Sequence, residues 1–92
     1  MSDRIPQLGE SVIYCDPSGV DHDALFTAVW GDTPDACCNV VFVSHDDSKT
    51  DSYGRQIERE TSVEHVSKST VHGRYWRYAD EPRNAFAAPT QK

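Results

Sequence analysis

The chain has 92 residues, enough for one domain. Chains of this size bury only about 60–65% of their unfolded surface, which leaves a thin core and little room for a deep catalytic cleft. Fifteen acidic residues against nine basic ones give a net charge of -6; such a field repels phosphate backbones and excludes general binding to duplex nucleic acid. A mean hydropathy of -0.66 suits strands that show one face to water and disfavours a bundle of buried helices.

Taken in chain order, residues 1–8 are read as an N-terminal arm. The first strand is Glu10–Cys15, stopped by the turn cluster Asp16-Pro17-Ser18-Gly19. Ala24–Trp30 follows before Gly31-Asp32-Thr33-Pro34-Asp35 breaks the run; seven residues could also make two helical turns, but Thr, Val and Trp favour a strand. Cys37–Ser44 carries Val40, Val41, Phe42 and Val43 in a continuous apolar run, the pattern of a central strand buried on both faces. His45–Asp51 is a polar hairpin loop, Tyr53–Glu58 a weak returning strand, and Thr61–Val66 a short strand entering a bulge.

Arg74–Tyr78 closes the sheet, bounded by Gly73 and Pro82. Residues 81–92 read as an extended tail in which Phe86 is the obvious anchor for a neighbouring subunit. Five to six short antiparallel strands with regular turn signals predict an all-β fold, a small barrel spanning residues 9–80. Closure suits a chain too short to cover sheet edges with helices.

Signals for chemistry are weak. Four histidines and three cysteines are present, but none has the CxxC or HxxxH spacing of a zinc site, so the histidines read as solvated loop residues and the thiols as partly buried. No metal or cofactor is expected. The loop His45-Asp46-Asp47-Ser48-Lys49-Thr50-Asp51 lacks the glycine and terminal glutamate of a calcium hand. Phosphate-binding glycine motifs are absent, and a Cys–His nucleophile pair has no local signature. Adjacent Cys37 and Cys38 point to opposite sides of a strand, which argues against a disulfide framework.

The sharpest feature is Arg74-Tyr75-Trp76-Arg77-Tyr78. Alternation places Trp76 with Arg74 and Tyr78 on one face, plugging the barrel, and leaves Tyr75 and Arg77 as contact candidates on the other. Together with Phe86 they form the expected partner-binding set. Met1-Ser-Asp-Arg lacks a signal-peptide pattern, and no stretch approaches the roughly 18 apolar residues of a membrane span. A cytoplasmic protein, or one assembled there, is expected.

The order Gly9-Glu10-Ser11-Val12-Ile13-Tyr14, Ala24–Trp30, Asn39-Val40-Val41-Phe42-Val43, Ser62-Val63-Glu64-His65 and Tyr75-Trp76-Arg77-Tyr78 resembles a family of small bacteriophage proteins with an SH3-like β-barrel. The closing motif departs from that family, since Ala79 stands where proline is usual. The resemblance implies a non-enzymatic phage protein: a minor capsid or decoration protein in the virion, docked on the major capsid protein or other virion subunits and expected to be a homo-oligomer. The alternative is an intracellular binder in the host cytoplasm that inhibits a defence or sequesters a nucleotide, with Arg55, Arg59, Arg74 and Arg77 as phosphate contacts.

Overall fold

The computed structural model describes residues 4–68 and 73–82. Its strands are β1 (Ser11–Cys15), β2 (Asp21–Val29), β3 (Cys38–Val43), β4 (Thr50–Asp51), β5 (Gly54–Arg55), β6 (Ile57–His65) and β7 (Tyr75–Arg77), with a single 3-10 turn at Val66–Lys68. Strands β1, β2, β3, β6 and β7 close into a barrel, while β4 and β5 form a separate two-residue hairpin. The all-β, small-barrel expectation holds, and the segment open between strand and helix is part of strand β2.

Strand β2 begins three residues earlier than its apolar content indicated. Asp21, His22 and Asp23 continue the alternation, with His22, Ala24 and Phe26 facing inward. The connection from β1 is tight because Gly19 donates its N–H to the Asp16 carbonyl at 2.8 Å and holds φ at 85°, a backbone region open to glycine at no steric cost. Ahead of β1, Gly9 and Glu10 extend the pairing by exchanging hydrogen bonds with Phe26.

Two bulges curve the sheet. One lies on β2 between Phe26 and Ala28, the other between β3 and β6 at the Cys38 to Val40 step. At the second, Ser62 adopts φ 53°, and the Asn39 side chain holds the bend by accepting both the Ser62 N–H and the Trp30 indole N–H at 2.9 Å. Bulges re-aim a strand and raise its local twist, as closure requires. The segments expected as two short strands at Tyr53–Glu58 and Thr61–Val66 are therefore one small hairpin plus a long, bent β6.

The purely antiparallel arrangement is corrected at one place. Strand β7 runs antiparallel to β1 but parallel to β6, with Glu64 opposite Tyr75 and His65 opposite Trp76. A ring of five strands cannot alternate direction throughout, so one parallel pair is a topological necessity.

The core holds Val12, Phe26, Cys38, Val40, Val63 and Trp76. Trp76 is wholly enclosed; it meets Phe26, Tyr78 and His65 edge-on at 4.8, 5.3 and 4.6 Å and donates its indole N–H to the Ala36 carbonyl at 3.1 Å. Such edge-to-face contacts add to simple burial. Expected two-sided burial of β3 is not found: Val40 and Phe42 point inward, but Val41 is half-buried and Val43 is 52% exposed. Among the described residues the helical content is one 3-10 turn, and no α-helix covers that second face.

Candidate functional site

The residues singled out on the closing strand do not form a free surface. Tyr75 is fully buried, on a three-residue strand paired along both edges by β1 and β6. Arg77 is held in place: it donates to Asp21 at 3.1 Å and to the Glu81 carbonyl at 2.7 Å, leaving 13% of its side chain exposed. Both are expected as partner contacts; within the described residues Tyr75 is enclosed and Arg77 is ion-paired. Trp76 faces inward as the alternation required. Phe86 lies outside the described residues, as does most of the 81–92 segment, but Glu81 belongs to the barrel end. Its carboxylate accepts hydrogen bonds from His65 at 2.8 Å and from the Tyr78 N–H at 2.9 Å.

The four arginines considered for phosphate do not act together. Arg55 pairs with Asp47, Arg74 with Glu60 and Arg77 with Asp21. Arg59 is exposed, and among the described lysines and arginines it is the one without an ion pair. It stands on β6 opposite Val41, which in turn is opposite Leu25 of β2. In the adjacent row Ile57 faces Val43.

Leu25, Val43 and Ile57 are 47%, 52% and 57% exposed. With Val41 they line a shallow groove of about 200 Å³ on the outside of the sheet, edged by Ser11 and Asp23. An apolar patch rimmed by polar groups marks an interaction surface more often than isolated exposed residues do. The continuous Val40–Val43 run predicts burial on both faces, so the sequence does not mark the face left open.

A second hollow, of about 300 Å³, lies where Tyr14, His22 and Phe42 meet the loop after β3. His22 and His65, read as solvated loop histidines, are instead inward residues of strands, 5% and 8% exposed. The ring of His22 lies 4.5 Å from Phe42 and 4.1 Å from His45, centroid to centroid. Its Nε2 is 2.7 Å from the Asp16 carboxylate. A carboxylate only accepts, so Nε2 carries the proton and Nδ1 of the neutral ring is an acceptor. That Nδ1 and the Tyr14 hydroxyl are buried without a hydrogen-bond partner.

Burial alone would raise the pKa of Asp16, but the His22 hydrogen bond and the N–H groups of Val20 and Ser18 outweigh it and hold the carboxyl below its ordinary range. Burial, reinforced by Glu60, pushes the Tyr14 phenol well above its usual value. Burial and the neighbouring Cys37 push the Cys38 thiol up to about 12, far from a reactive thiolate at neutral pH. Cys37 and Cys38 carry free thiols. Among the described residues, no group of three or more His, Cys, Asp or Glu side chains is placed to hold a metal ion, and no helix is long and apolar enough to cross a membrane.

The unpartnered Tyr14 hydroxyl gives a direct stability test. Tyr14→Phe removes a buried polar group with no bond to lose, so unfolding in urea should show unchanged stability or a gain of about 1–2 kcal/mol. A loss of that size would mean the hydroxyl is satisfied in solution.

Comparison with known proteins returns no match: no protein family, no curated protein and no solved structure is significantly similar to this chain.

Proposed function

We propose that this chain acts by binding and not by catalysis, docking through the outward face of β2, β3 and β6 as a minor capsid or decoration protein of a phage particle. The observation that carries the docking reading is the apolar patch of Leu25, Val41, Val43 and Ile57 beside Arg59, which has no ion pair among the described residues. Apolar side chains supply the driving force on desolvation. An arginine at such a rim is a frequent hot spot, because its planar fork can grip a carboxylate across the interface. The partner surface should therefore offer an apolar ridge with an acidic group opposite Arg59. The phage shell as partner rests on the resemblance of the strand motifs to small phage barrels.

Mass spectrometry of purified particles tests the location, and two substitutions test the surface. Val43→Glu and Arg59→Glu alter exposed side chains, so each should leave folding within about 0.5 kcal/mol of the parent. Each should weaken association with particles by at least about tenfold, the effect of removing a central contact. Presence in particles with no effect of either substitution would reject this face; absence from particles would reject the virion role and move the reading to an intracellular binder.

A further inference from the structure

We propose that the hollow between Tyr14, His22 and His45 is a binding site for a cationic group of the ammonium or guanidinium type. Within the described residues the fold leaves two polar atoms of this region without partners. His22 Nδ1 and the Tyr14 hydroxyl are buried and lack a hydrogen-bond partner, and both residues line this cavity. Leaving such groups unpaired is costly, and native structures rarely do so without a ligand or water to complete the set.

The bonding capacity of the cavity is one-sided. With its Nε2 proton committed to Asp16, His22 offers an acceptor. Glu58 uses Oε2 toward Ser44 and Lys49, and Glu60 uses Oε1 toward Arg74, so each keeps a second carboxylate oxygen. Asp46 stands exposed at the rim beside His45. The lining thus carries Asp16, Asp46, Glu58 and Glu60, of which Glu58 is paired with Lys49 and Glu60 with Arg74. An anion is repelled there, and a ligand that only accepts hydrogen bonds finds few donors.

A cation rich in N–H groups satisfies both features. Aromatic rings in the lining suit the same ligand, since Tyr14 stacks on Phe42 at 4.9 Å and the His22 ring is tilted against Phe42 at 4.5 Å, and ammonium and guanidinium groups are attracted to aromatic side chains. The same chemistry has two sources, a free small amine or the lysine or arginine side chain of a partner protein. The site does not depend on the proposed docking face.

The test is an NMR titration that follows the aromatic signals of Tyr14, His22 and His45 at constant ionic strength. Free n-butylammonium and methylguanidinium form one arm; the capped tripeptides Gly-Lys-Gly and Gly-Arg-Gly form the other; sodium and urea serve as controls. The expected result is a saturable shift confined to the cavity residues and weakened about tenfold by Tyr14→Phe or Glu60→Gln, as for loss of one hydrogen bond to a charged group. Equal response to both arms identifies a small amine; response to the peptides alone identifies a partner's side chain. The proposal is overturned if no probe gives a saturable shift, if sodium or urea shifts the same signals equally, or if both variants respond like the parent.

Discussion

Replacing Trp76 with alanine should lower the unfolding free energy by about 3–5 kcal/mol, the range for removing a large buried aromatic. The side chain is wholly enclosed, touches Phe26, His65 and Tyr78, and sits on the short strand that joins β1 to β6. Its loss therefore opens a cavity at the barrel's closing seam. A domain of this length has a total stability of about 5–14 kcal/mol, so the variant should be substantially unfolded on mild warming. Trp76→Phe separates packing from hydrogen bonding: most of the volume stays, but the Ala36 carbonyl loses its donor, and a loss of about 1–3 kcal/mol is expected. Urea titrations followed by circular dichroism measure both. A loss below about 1 kcal/mol for the alanine variant would show that Trp76 does not anchor the core.

Gly73→Ala should be comparably damaging for a different reason. A Cβ at this position would lie 1.9 Å from the Asp16 carbonyl oxygen and 2.9 Å from Pro17 Cα, both backbone atoms that no side-chain rotation can move aside. The chain passes here under the β1–β2 turn, and the next residue, Arg74, adopts φ 62° and donates its N–H to the Cys15 carbonyl. Making room for a methyl group requires separating that turn from the entry to β7, which breaks the bond and loosens β1–β7 pairing. A cost of about 3–5 kcal/mol follows, at the upper end for single substitutions. Gly31→Ala is the control, since its Cβ would meet only Ala36 Cβ at 3.4 Å; a change within about 1 kcal/mol is expected there. Equal behaviour of the two variants would refute the close approach at Gly73.

The sites described above draw on opposite kinds of surplus. On the outer face of β2, β3 and β6 the surplus is apolar area that the described residues leave exposed, beside an Arg59 without an ion pair among them. In the Tyr14–His22 hollow it is hydrogen-bonding capacity left unused. Neither lies where the aromatic-rich closing strand drew attention. Tyr75 and Arg77 carry residue types common in interfaces, yet both are consumed in closing the barrel: one is enclosed, and the other is bound to Asp21 and Glu81.

What the sequence by itself determined was local and periodic. Turn chemistry marked β1 and the first turn at Asp16–Gly19, strand-forming residues marked β2, a continuous apolar run marked β3 and alternation sent Trp76 inward, because all of these depend on neighbouring residues. Tertiary structure decided whatever depends on residues distant in the chain. The Ser62 bend needs Asn39, 23 positions earlier, and the parallel β6–β7 pair follows from closing an odd-numbered ring. The fate of each face was likewise undecided by pattern. The same alternation leaves Val43 open and Tyr75 enclosed, because exposure is set by which strands and side chains pack alongside and not by the residue's own place in the period.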